Sequence, residues 1–229
     1  GHLKESDEHH AVSLKLLRQT LGEDSEETIQ AMRNYTVLLA DEAKFDEAEK
    51  LGREAIEVLS RVRGPDHPDT ALAKGELARV LQETGRFEEA ETLMKECLRV
   101  GLGALGNSDP QLLTIMNNYG VSLKDHGKLA EAEGYLREVL RLRSELHGEE
   151  HPQTAYTMNN LAATLQKLGR NDEAMELFKK TLAIRRKTLG DDHAATVTAV
   201  LNLGVTHMGM GNAKDAEPLL REAYAGYSR

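Results

Sequence analysis

A glycine recurs at Gly22, Gly64, Gly106, Gly148 and Gly190, each 42 residues after the last, with no insertion or deletion between them. An unbroken step of this kind constrains the fold more than any composition could, because equal intervals with equal patterning build equal units that stack in line. Other columns keep the same step. Thr28, Thr70, Thr154 and Thr196 share one, with Leu112 in the third repeat. Asn34, Asn118, Asn160 and Asn202 share another, with Glu76 in the second. A third is alanine throughout: Ala48, Ala90, Ala132, Ala174 and Ala216.

Between these markers the apolar spacing is helical. Leu161, Leu165 and Leu168 fall at i, i+4 and i+7 and run into Gly169, a stop that reads as a left-handed residue ending a helix. A second helix then passes through Ala174, Leu177, Phe178, Leu182 and Ile184 to Arg185, Arg186 and Lys187, whose cations suit a helix C-terminus. The stop recurs at Gly85, Gly127 and Gly211, but Ala43 takes its place in the first repeat, and that turn is expected to be less favourable. The openings Asp66-His67-Pro68, Asp109-Pro110 and Glu150-His151-Pro152 place proline at a first helical position, where its missing N–H is no loss. Neighbouring Asp, Glu and Thr are expected to complement the free N–H groups of that turn. The alanine column is expected to let the two helices of a repeat approach closely, and carboxylates on the outer faces to serve solubility.

Aromatic content is 4% with no tryptophan, which suits helices rather than sheets. The expected fold is therefore all-α: a right-handed α-α superhelix of five helix-turn-helix repeats plus an N-terminal helix, forming one domain. Residues 1–22 read as a half repeat or cap, followed by repeats at 23–64, 65–106, 107–148, 149–190 and 191–229. Gly1 and His2 read as the remnant of a cleaved tag. The chain stops at Arg229 within a second helix, with no polar capping helix after Tyr224 and Tyr227. A longer parent protein, or an end-to-end or dimer contact covering that helix, is the matching expectation.

Several function classes are disfavoured. The net charge of -9 supplies no basic field for nucleic acid or an anionic membrane surface. No apolar run approaches the roughly 18 residues of a membrane span, and no signal segment opens the chain, so a cytoplasmic location is expected. Cys97 stands alone, which excludes an intrachain disulfide and a multi-thiolate zinc site and suits a core position. His67, His151 and His193 occupy one column, a full repeat apart, with Asp109 in the third repeat. Zinc ligands must converge within about 2.0–2.3 Å of one ion, so these histidines are expected at helix starts and not around a metal. His207 reads as lying near the groove described below. Gly101, Gly103 and Gly106 follow a helix and not a strand, and no nucleophile motif is present. Catalytic residues, metal and cofactors are all expected to be absent, and the chain is not expected to be an enzyme.

The stretches His151-Pro152-Gln153-Thr154-Ala155, Asn159-Asn160-Leu161-Ala162, Gly169-Arg170, Glu173-Ala174 and Arg185 to Gly190 resemble the 42-residue tetratricopeptide repeat of kinesin light chains and their bacterial relatives. The resemblance covers essentially the whole chain. It implies a superhelix whose first helices line a concave groove that takes up an extended or partly helical peptide. The second repeat departs most, with Gly75-Glu76 where the third and fourth carry Asn-Asn.

Stepping by 42 from the inward positions of the fourth repeat gives the candidate peptide-binding set: Asn34, Arg79, Asn117, Asn118, Val121, Lys124, Tyr156, Asn159, Asn160, Lys167 and Asn202. Arg33, Arg79, Lys124 and Lys167 stand against Asp41, Glu76, Glu83 and Asp125, so the groove is expected to be near neutral and a poor match for a strongly acidic ligand. A carboxamide both donates and accepts, and a row of them can pair with the backbone of an extended peptide. Leu72, Val121, Tyr156, Val205 and Met208 are expected to supply apolar pockets. The alternative is that the asparagines bond between neighbouring helices and fix the stacking. The expected function is a scaffold that binds a peptide of another protein or of its own full-length chain. The competing expectation is a sensor or regulatory segment of a larger bacterial signalling protein, a kinase or signal-transduction ATPase.

Overall fold

The computed structural model describes residues 2–228, with side chains from His9 onward; Gly1, part of the expected tag remnant, and Arg229, the expected stop, lie outside the described residues. The helices are α1 (His2–Leu21), α2 (Glu26–Asp41), α3 (Phe45–Val62), α4 (Pro68–Glu83), α5 (Phe87–Ala104), α6 (Pro110–Asp125), α7 (Leu129–His147), α8 (Pro152–Lys167), α9 (Asn171–Leu189), α10 (Ala194–Gly209) and α11 (Ala213–Tyr227). Among the described residues no strand occurs, and no helix is long and apolar enough to cross a membrane.

The chain divides into two compact units, residues 1–122 and 123–229, with the division inside α6. In the first, α2 packs on α3 and α4 on α5, while α1 covers α2 and α3 meets α4. Its interior holds Met32, Leu39, Leu59, Leu77, Leu81 and Met94, all essentially inaccessible. In the second unit α8 packs on α9 and α10 on α11, and Phe178 sits at the centre of a cluster with Leu136, Leu161, Leu165, Leu182, Val200 and Leu203.

The first helix of each repeat starts with a side-chain cap, whereas α3, α5, α7, α9 and α11 start without one. The Nδ1 atoms of His67, His151 and His193 accept from the backbone N–H of Asp69, Gln153 and Ala195 at 3.2, 3.2 and 3.1 Å. Asp109 does the same for Leu112 at 2.8 Å, and Ser25 for Thr28 at 3.1 Å. The threonine column works differently from the expectation. Thr70 and Thr154 donate to the carbonyls of Gly64 and Gly148 at 2.8 and 2.9 Å, tying the incoming loop to the new helix instead of capping its N–H groups.

The ends of the first helices follow one pattern. Gly85, Gly127, Gly169 and Gly211 have φ of 78–79°, and Ala43 adopts the same conformation at φ 58°. The bonds match: Ala43 N–H to Ala40 O at 3.1 Å and Lys44 N–H to Leu39 O at 2.9 Å, against Gly85 to Gln82 at 3.0 Å and Arg86 to Leu81 at 2.8 Å. Tertiary packing therefore imposes the turn on an L-residue. The all-alanine column is fully buried at all five positions.

The outer carboxylates do more than solubilise. Arg53 bonds Glu49 on its own helix α3 and Glu89 on α5, and Arg86 also reaches Glu49. Eighty-four residues later Arg137, Glu133, Glu173 and Arg170 repeat the network between α7 and α9. Burial pushes the Glu49 carboxyl up, but the hydrogen bonds from Arg53 and Arg86 outweigh it and hold the group below the usual carboxylate range.

His207 breaks a column of buried leucines, namely Leu39, Leu81, Leu123 and Leu165. His207 is half-buried, with its Nδ1 buried and without a hydrogen-bond partner. Two stability outcomes follow, both measurable by urea denaturation. Ala43→Gly should stabilise by about 0.5–1 kcal/mol through relief of the left-handed strain, net of the greater freedom of glycine in the unfolded chain. His207→Leu should stabilise by about 1–2 kcal/mol by removing an unsatisfied buried polar atom.

Candidate functional site

The first helices α2, α4 and α6 present one face in the first unit. Successive helices there are joined by side chains 43 residues apart. Arg33 grips Glu76 through two bonds, Nε to Oε2 at 3.2 Å and Nη2 to Oε1 at 2.7 Å. Both are largely buried, with side chains 6% and 16% exposed. In the second unit the same spacing joins Asn202 Nδ2 to Asn159 Oδ1 at 3.1 Å. A residue in the first of two adjacent columns thus latches onto the second column one repeat later.

Between α4 and α6 the latch is missing, because its first member is Gly75. A Cβ there would lie 2.6 Å from Ile115 Cγ2 and 2.7 Å from Cys97 Sγ. Ile115 stands in a column that otherwise holds Ala31, Ala73, Thr157 and Ala199. Glycine in one helix and isoleucine in the next exchange volume, and the packing closes without a polar contact. Asn118 therefore receives nothing from α4. Its Oδ1 accepts only from Asn117 Nδ2 at 3.4 Å. Asn34 likewise has its Oδ1 taken by Gln30 Nε2 within its own helix, at 2.8 Å.

These two carboxamides border a cavity of about 360 Å³ on the face of α2, α4 and α6. Arg33, Glu76 and Arg79 form its polar wall, and Val37, Gly75 and Ile115 its apolar side. Burial raises the pKa of Glu76, with the Arg33 and Arg79 charges working against the rise. Burial, reinforced by the Glu76 charge, pushes the neighbouring Cys97 thiol up to about 12, so it stays protonated and unreactive.

The remaining sequence candidates are placed unevenly. Asn117 is fully buried and does not present its carboxamide at the surface, and Asn160 is only 8% exposed. Val121 and Asn159 are half-buried, and Tyr156 is exposed. Leu72, expected to line a pocket, is a core residue at 3% exposure. The cations on this list are paired: Arg79 with Asp41 at 3.1 Å, Lys124 with Asp125 at 3.2 Å, and Lys167 with Asp125 at 3.7 Å. Glu83 accepts from Ser122 at 2.9 Å. Sequence reasoning missed the latch; its signal was the opposite charge of Arg33 and Glu76 at one repeat plus one residue. Among the described residues no group of three His, Cys, Asp or Glu side chains could hold a metal ion.

Antiparallel helix pairs at a constant 42-residue step, closed by a left-handed residue after each first helix, define an α-helical repeat protein. Residues 37–101, 111–187 and 157–229 match the model of the tetratricopeptide repeat, and the chain belongs to that family. Among solved structures it is similar to BtubC (BKLC) from P. vanneervenii, at 24% identity over all of this chain and 92% of that one, with a TM-score of 0.82. It is also similar to a putative kinesin light chain from Podosopora anserina with nearly identical TPR-like repeats, at 22% identity over 87% and 95% of the two chains and a TM-score of 0.74. The MamA protein follows at 17% identity, 89% and 94% coverage and a TM-score of 0.57. No curated protein sequence matches the chain. The fold is accordingly the tetratricopeptide α-α solenoid of kinesin light chain-like proteins, a general scaffold for protein interaction.

The latch can be checked by stability. Arg33→Met should destabilise by about 2–3 kcal/mol by stranding a buried carboxylate, and the Arg33→Met/Glu76→Met double variant should recover most of that loss in urea denaturation.

Proposed function

We propose that the chain is a non-catalytic interaction scaffold that holds an extended or helical peptide of a partner on the face of α2, α4 and α6. The observation that carries this reading is the cavity bordered by Asn34 and Asn118, two carboxamides that are not committed to a neighbouring helix. Asn202 is spent on holding α10 to α8, and Glu76 on holding α4 to α2, which is the stacking role. The Asn column thus divides by chemistry, and the members with spare hydrogen-bonding capacity gather at one opening.

A peptide crossing that opening would exchange its own backbone bonds to water for bonds to fixed amides, the mode by which a scaffold holds peptides of varied sequence. Val37 and Ile115 supply apolar contact beside those amides. Repeats bounded at 23–64, 65–106 and 107–148 are the binding units in this reading.

A peptide array of tiled bacterial protein sequences tests it. Replacing Asn34 and Asn118 together by Ala should weaken bound peptides by roughly tenfold, since each amide bond contributes about 0.5–1.5 kcal/mol. Asn202→Ala, which touches the stacking and not the cavity, should leave the same spots in place. Retention of every spot by the Asn34/Asn118 variant would refute the proposal.

A further inference from the structure

Successive second helices are bridged in one register. Arg18 bonds Glu54, Arg53 bonds Glu89, Arg137 bonds Glu173 and Arg186 bonds Glu222, each pair 36 residues apart. The columns behind the Arg53 bridge hold Ala11, Arg53, Lys95, Arg137 and Lys179 on one side, and Glu47, Glu89, Glu131, Glu173 and Asp215 on the other. Every acid is kept, and every cation except the first. Helix α1 therefore answers Glu47 with a methyl group where α3 and α7 carry a guanidinium.

A cavity of about 470 Å³ lies at this place, lined by α1, α2 and α3 and sharing no residue with the cavity of α2, α4 and α6. Its apolar part is made by buried Leu14, Leu39 and Leu51 and by Tyr35, whose ring stacks on His10 with centroids 6.0 Å apart. Three exposed charged side chains on the lining, Glu47, Lys15 and Lys50, have no partner among the described residues. Arg18 is already bonded to Glu23 and Glu54. Glu47 and Lys50 are three residues apart on α3, a spacing that puts them side by side on one face of the helix.

These groups select a ligand. Glu47 matches the guanidinium that its column meets at Arg53 and Arg137. Lys15 and Lys50 oppose a plain cation, whereas a carboxylate at the far end of the same molecule turns both into partners. An alkyl stem joining the two ends covers the leucine and tyrosine surface between them, as the stems of long charged side chains do. We propose that the cavity between α1 and α3 binds an arginine-type ligand, its guanidinium on Glu47 and its carboxylate on Lys15 and Lys50. Free arginine and the C-terminal arginine of a peptide share this chemistry. The site requires nothing of the peptide face described above.

NMR titration of the full chain, read on the methyl groups of Leu14, Leu39 and Leu51, tests the site with four probes: arginine, acetyl-Leu-Arg-OH, citrulline and agmatine. Citrulline replaces the guanidinium by a neutral urea, and agmatine lacks the carboxylate. Arginine or the acetylated dipeptide should bind roughly fivefold more tightly than either, the size expected for loss of partly exposed ion pairs. Whichever of the two binds more tightly identifies the source. Lys15→Gln with Lys50→Gln should bring that ligand level with agmatine. Ala11→Arg, which rebuilds the bridge seen at Arg53 and Arg137, should abolish the methyl shifts. Citrulline or agmatine binding as tightly as the better arginine probe, unchanged binding in the Ala11→Arg variant, or no shift with any probe would each overturn the proposal.

Discussion

Close approach between the two helices of a pair is the contact on which the rest depends. Ala48, Ala90, Ala132, Ala174 and Ala216 are completely buried, and the side chain at that position is a single methyl group in every repeat. Within each unit a side chain on one first helix meets the residue 43 positions later on the next, as Arg33 meets Glu76 and Asn159 meets Asn202. A single insertion would shift every later column. The apolar interior supplies the driving force, as in other repeat proteins whose units bury their faces only on neighbours. Outer ion pairs such as Arg53 with Glu89 and Arg137 with Glu173 connect successive second helices and add orientation more than energy.

Against that regular background the departures carry the information. Gly75 and Ile115 trade volume across two helices, so the core stays closed while a polar bridge is lost. Asn118 keeps free capacity because its partner position in the preceding repeat is Gly75, which has no side chain. Where Arg33 and Glu76 stand instead, the same position becomes a strong latch. One geometric site therefore serves cohesion or recognition according to which residues occupy it.

Much of this was legible in the sequence. Glycine spacing, the i, i+4 leucines and the proline openings have local causes that read directly onto helices and turns. Ala43 was visible as an exception, and its positive φ follows from the same pattern. The threonines misled because Ser, Thr and Asp near a helix start suggest donation from the backbone, whereas Thr70 and Thr154 point back to a carbonyl six residues earlier. Asn117 and Leu72 could not be told from their exposed neighbours, since one residue on a helix turns a side chain by about 100° and the boundary of the face falls between them. The division of the asparagines depended on pairing between helices, which a single column cannot display.

The buried thiol of Cys97 has a practical meaning. It is the chain's sole cysteine, buried beside Gly75 and Ile115, and a reagent reaches it only when the packing around it opens. Its chemical silence makes it a clock: the pace at which an alkylating agent marks native protein reports how often the packing around that thiol breathes, without a label having to be engineered.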